Sequence, residues 1–184
     1  MKRPGAASTI LIGAVAAVLL SAASLLGLGV LRPLSGQQPV TSQACAPPVL
    51  PGTTVGVTES DMGGMMSGAP AARTGRLIVQ GGAVPRGQVS FVVTNRGRLA
   101  HEFLVLPLPA GHAPGERPVG GDGRIDEAGL VAEASASCAA GAGEGIVAGA
   151  AGWVTAYLAA GHYELVCNLP GHYAAGMYAE LTVV

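Results

Sequence analysis

Near the end of the chain, Cys167, His172 and Met177 fall within one short run, Cys-Asn-Leu-Pro-Gly-His-Tyr-Ala-Ala-Gly-Met. The run brings a thiolate, an imidazole and a thioether within reach of one another. Soft sulfur donors favour Cu(I), and imidazole suits copper in either oxidation state. One Cys and two His in a plane, with a distant axial Met, form the donor set of an electron-transfer copper site. The run lacks the second His, so that ligand must come from elsewhere in the chain.

The flanking residues suit such a loop. Residues 164–166 lead into Cys167 as a strand would, and Pro170-Gly171 turns the chain sharply. Beyond the loop, Met177, Ala179, Leu181 and Val183 alternate with Tyr178, Glu180 and Thr182. This is strand periodicity, and it puts Met177 on the apolar face. Taken singly, each residue has a bland reading: a buried core thiol, a turn histidine, a packing methionine. Together, between two strands and at this spacing, they point into one pocket at the end of a hairpin.

His101 is the candidate for the missing ligand. Residues 99–106 read as a strand that opens just after the turn Asn95-Arg96-Gly97, with His101, Phe103 and Val105 on one face. The chain has four histidines. His112 lies in a Pro/Gly loop, and His162 alternates away from Cys167.

These residues resemble the cupredoxins, the small blue-copper proteins such as plastocyanin and azurin. The Cys-x4-His-x4-Met spacing is close to the ligand loop of that family. The wording Tyr-Glu-Leu-Val-Cys-Asn-Leu-Pro-Gly-His-Tyr-x-x-Gly-Met is closer still to sulfocyanin-like, membrane-anchored cupredoxins. The likeness runs over residues 53–184 and is weak in the middle. It implies an all-β, Greek-key β-sandwich and one type 1 copper ion held by His101, Cys167, His172 and Met177. It also implies that Tyr163, four residues before Cys167, ties a Greek-key corner.

A chain of 184 residues leaves room for one domain plus an anchor. Residues 10–31 carry no charge and follow Lys2 and Arg3. A spanning helix needs about 20 apolar residues, whereas the core of a signal peptide needs about 7–15. We therefore expect a single N-terminal transmembrane helix or signal anchor within residues 1–32, with secretion after signal cleavage as the alternative. Residues 33–52, rich in Pro, Gln and Ser, read as a linker, and residues 53–184 as the copper domain on the extracytoplasmic side of the cell membrane. Within that domain, residues 76–80 and 88–94 read as strands joined by a turn, and residues 153–158 and 162–167 as a hairpin feeding the ligand loop. About seven short strands in all suggest a sandwich or barrel. Residues 107–152 form a long Gly/Ala-rich loop in which 129–137 suits a short helix. Loops of that length are usually functional or disordered.

Of three cysteines, Cys167 is claimed by the site. Cys45 and Cys138 remain, and an exported domain makes a disulfide between them plausible.

Formal charge is −1, and no basic footprint argues for nucleic acid. No phosphate-binding or catalytic motif stands in a fitting context. Val166 and Asn168 flank Cys167 where a multicopper oxidase needs His, and four histidines cannot build a trinuclear cluster. The expectation is an electron carrier, not an enzyme. It has no small-molecule substrate, and its partners are redox proteins of a membrane respiratory chain. The alternative is an extracytoplasmic copper carrier that uses Met62, Met65 and Met66 as a weak Cu(I) site.

Overall fold

The computed structural model describes residues 45–61 and 75–184. Nine strands follow in order: β1 (Thr53–Ser60), β2 (Arg76–Val79), β3 (Ala83–Val84), β4 (Gly87–Asn95), β5 (Phe103–Pro107), β6 (Ala132–Ala134), β7 (Ala151–Leu158), β8 (Gly161–Val166) and β9 (Tyr178–Val183). They form a four-stranded sheet, β2-β1-β4-β7, and a five-stranded sheet, β3-β9-β8-β5-β6. The β1/β4 and β3/β9 pairs are parallel, and the other pairs are antiparallel.

The sheets face each other across one core. Val55 and Val57 of β1 and Val89, Phe91 and Val93 of β4 meet Phe103 and Val105 of β5, Leu165 of β8 and Leu181 of β9. The period-2 alternation of these strands produces that face, because successive side chains point to opposite sides of a sheet. Phe91 and Phe103 bridge the two layers with ring centroids 5.0 Å apart. Truncating either to Ala costs about 3–5 kcal/mol.

β5 is buried on both faces, which explains its continuous apolar run. Phe103 and Val105 enter the main core, while Leu104 and Leu106 pack with Ile125, Val166 and Tyr173 in a second cluster. Ile125 belongs to the long Gly/Ala-rich segment, which is an ordered cover over the five-stranded sheet. Its bridges Val119↔Ile125, Ala136↔Gly145 and Ala140↔Trp153 fold it against itself and against β7.

Several local expectations give way to tertiary pairing. Residues 129–137 form no helix. Ala132 and Ala134 instead add β6 to the edge of β5, both buried, with Glu133 between them turned outward. The weak helix preference of Ala-rich sequence loses to a sheet edge that needs a partner. β7 and β8 are not a hairpin. β7 pairs with β4 in one sheet and β8 with β5 and β9 in the other. The tight turn between them hands the chain across the sandwich, and the Tyr163 hydroxyl donates to the Ala159 carbonyl at 3.1 Å to hold that corner. β2 and β4 are likewise separated, by β1. β5 begins at Phe103 rather than at residue 99, and His101 stands before it in an isolated bridge to Ile146.

Cys45 and Cys138 are disulfide-bonded, with Cα atoms 5.1 Å apart. The bond ties the long segment to the stretch before β1.

Among the described residues no helix is long and apolar enough to cross a membrane. The apolar run 10–31, the first part of the 33–52 linker, and Met62, Met65 and Met66 lie outside the described residues.

Candidate metal centre

The ligand loop is closed by its own backbone. The Cys167 N–H donates to the Met177 carbonyl at 3.0 Å, and the Met177 N–H donates to the His172 carbonyl at 3.1 Å. His172 N–H reaches Leu169 O at 2.9 Å, and Ala175 N–H reaches Gly171 O at 3.0 Å. Gly171 takes φ 83°, a conformation that an L side chain rarely adopts, so the turn that swings His172 back needs glycine. Continuing from β8 and returning into β9, the loop carries Cys167 and Met177 into the interior, at 0% and 1% exposure. His172 is half-buried.

His101 comes from the turn that leads into β5, the strand paired with β8. Its N–H donates to Ile146 O at 3.1 Å, and Ile146 N–H donates back to its carbonyl at 2.7 Å. Buried Asn95 shapes the turn before it: Nδ2 donates to Leu99 O and Ile146 O, each at 2.7 Å, and Oδ1 accepts from Gly97 N–H at 2.7 Å. Asp61, just past β1, caps the same turn by accepting from Arg98 N–H at 2.7 Å and Leu99 N–H at 3.1 Å. Gly97 must be glycine for a steric reason. A Cβ there stands 2.4 Å from Asp61 Oδ1 and 2.8 Å from His101 Nε2.

Three donor atoms converge. His101 Nδ1 and His172 Nδ1 are 3.2 Å apart, and Cys167 Sγ is 3.3 Å from His172 Nδ1 and 3.8 Å from His101 Nδ1. A first-row metal ion with bonds of about 2.0–2.3 Å spans a triangle of this size. The Glu102 N–H points at Cys167 Sγ from 3.4 Å.

Protonation states fit a cation. Burial, and then repulsion from His172, push the His101 pKa down to about 4, against a smaller upward pull from Asp61. Burial lowers His172 in the same direction. Both shifts favour the neutral rings that metal ligands must be. Burial, and then the Glu59 carboxyl, push the Cys167 thiol far above its ordinary range, against the Glu102 and Leu169 N–H groups. A thiolate here needs a positive ion beside it, and metal binding would release the thiol proton.

The long segment clamps the loop. Gly171 N–H donates to Gly123 O at 2.9 Å. Asn168 Oδ1 accepts from Ile125 N–H at 2.7 Å, and Arg124 reaches the Asn168 carbonyl at 2.9 Å and Glu102 at 3.3 Å. Buried Glu164 accepts from Arg117 Nε at 2.5 Å, Gly115 N–H at 2.7 Å and the Tyr173 hydroxyl at 2.7 Å.

All four expected site residues are thus buried or half-buried around the ligand loop, whereas His112 and His162 are exposed and pair with Glu116 and Glu180. Asn95, Asp61 and Asn168 act through side-chain bonds to distant backbone, which the turn position of Asn95 and the place of Asn168 beside Cys167 do not reveal in sequence. Glu59, the inward position of β1 after Val55 and Val57, was not singled out either.

A sulfocyanin (SoxE) domain matches residues 73–184. The chain belongs to the sulfocyanin family of cupredoxins. Cupredoxins are electron-transfer proteins, not enzymes, and the cofactor is one type 1 copper ion. Among solved structures, auracyanin from the photosynthetic bacterium Roseiflexus castenholzii is 17% identical, with a TM-score of 0.46 over 72% of this chain and 98% of its own. Rusticyanin from Thiobacillus ferrooxidans is 26% identical, with a TM-score of 0.42 over 73% of this chain and 79% of its own. No curated protein matches the chain.

Proposed function

We propose that this sulfocyanin-family chain is an electron carrier whose copper would be held by His101, Cys167 and His172, with Met177 as a fourth, weaker ligand. The convergence of two neutral imidazoles and one thiol within 3.2–3.8 Å carries the reading. Copper supplies the one-electron Cu(II)/Cu(I) couple. The chain holds its donors in place beforehand, through the backbone bonds of the loop and the Asn95 and Asp61 bonds of the facing turn, so little has to move. Half-buried His172 is the most exposed of the four and would offer the edge through which a partner exchanges an electron.

Burial also weighs against the copper-carrier reading. Hand-over needs exchangeable ligands, and His101, Cys167 and Met177 are 0–1% exposed. Replacing Met62, Met65 and Met66 together by Leu should leave one copper bound and its colour intact. The partners on this reading are redox proteins of a membrane respiratory chain. Anchorage by residues 10–31, with the domain outside the cytoplasm, belongs to the same proposal, and the Cys45–Cys138 disulfide supports an oxidising compartment.

The test is the visible spectrum of the protein loaded with Cu(II). A strong thiolate-to-copper band should appear and should vanish in Cys167→Ser. A Cys167→Ser protein that stays blue rejects the assignment.

A further inference from the structure

Glu59 is the last inward-facing residue of β1, after Val55 and Val57, and its exposure is 0%. Among the described residues, neither of its carboxyl oxygens has a hydrogen-bond partner. The other buried acids differ. Glu164 is held by Arg117, Gly115 and Tyr173, and Glu102 faces Arg124. A buried polar group left unsatisfied is costly, and in a native fold it calls for an explanation.

Its position suggests one. In register, Glu59 lies between Leu77 of β2 and Asn95 of β4. Its carbonyl accepts from Arg96 N–H at 2.8 Å, inside the turn that presents His101. Just before β2, Gly75 lies against Met177, where a Cβ would come 2.3 Å from Met177 Cγ. The two backbone stretches beside β1 thus border two different ligands of the centre.

We propose that Glu59 tunes the copper centre from the core side, its unpaired carboxyl oxygens stabilising Cu(II) relative to Cu(I) and so lowering the reduction potential. The inference rests on the copper assignment of the preceding subsection. In a low-dielectric interior, lone pairs with no other partner favour the more highly charged ion, and a hydrocarbon side chain in their place does not. The surroundings of a metal site set its potential in this way without touching the ion.

Glu59→Leu and Glu59→Gln in the full chain test the proposal. The readouts are the redox titration, the thiolate-to-copper band and thermal melting of the metal-free protein. Glu59→Leu should keep one copper and the band. It should raise the potential by at least the equivalent of a tenfold change in the Cu(II)/Cu(I) ratio, about 59 mV. Glu59→Gln, which retains polar atoms, should shift it less. The metal-free Leu variant should melt at or above the wild-type temperature, because it removes an unsatisfied group. An unchanged or lowered potential with the band intact overturns the tuning role. A metal-free Leu variant that melts well below wild type overturns the claim that Glu59 is unpaired. Absence of the band from the wild-type protein would instead strike at the copper assignment, and the metal-free melting comparison would still decide whether Glu59 is unpaired.

Discussion

His101 Nδ1 and His172 Nδ1 face each other at 3.2 Å, from residues 71 apart in sequence. Two rings that close cannot both be protonated without repulsion, and the burial of His101 adds to the cost. The folded pKa of His101, about 4, lies below its ordinary value of 6.5. The unfolded chain therefore binds the proton first as pH falls. The stability tied to a neutral His101 is fully present above about pH 6.5 and is lost as pH drops toward 4. Allowing for solvent screening, the loss is on the order of 2 kcal/mol. Melting of the metal-free protein between pH 7 and pH 4 measures it, and His101→Phe should flatten the slope. An equally steep slope in that variant would remove His101 as its source.

Met177 is buried, and its backbone is bonded to Cys167 and His172. On the proposed assignment Met177 would be a weak fourth ligand that tunes the metal more than it holds it. Met177→Gln should still bind copper, and its potential should fall, because a harder oxygen donor favours Cu(II). Loss of all copper, or an unmoved potential, counts against the axial role.

Arg117 is the cation facing Glu164, whose side chain is 0% exposed. Arg117→Met strands that carboxyl and should cost about 3–5 kcal/mol of stability. Tyr173→Phe removes one neutral-to-acid bond and should cost about 1–3 kcal/mol. Denaturant melts of the two single variants and the double variant would measure their coupling. Strict additivity would show that Glu164 does not join them.

The Cys45–Cys138 bond closes a loop with a sequence separation of 93. Its removal by paired Ser substitutions should cost about 2–5 kcal/mol, mostly by freeing the unfolded chain. Denatured without reductant, wild-type protein should take an alkyl label on Cys167 alone. Labelling of all three cysteines would show the bond absent.

The ligand loop was legible because it is local. Cys167, His172 and Met177 sit within one turn-and-strand unit whose backbone bonds stay inside the run from Cys167 to Met177, so spacing and periodicity were enough to bring them together. The inward alternation of β9 was legible for the same reason. Other features depended on which strands become neighbours. Strand pairing is a contest between distant segments, and it put β7 and β8 in different sheets, drew Ala132–Ala134 into β6 rather than a helix, and ended β5 short of His101. Only the assembled sandwich brought His101 Nδ1 to 3.2 Å from His172 Nδ1, because Asn95 and Asp61 hold its turn through bonds that no local pattern encodes. The unpaired carboxyl of Glu59 belongs to the same class. Alternation alone turns the side chain inward, but whether a buried acid finds a partner is decided by everything packed around it.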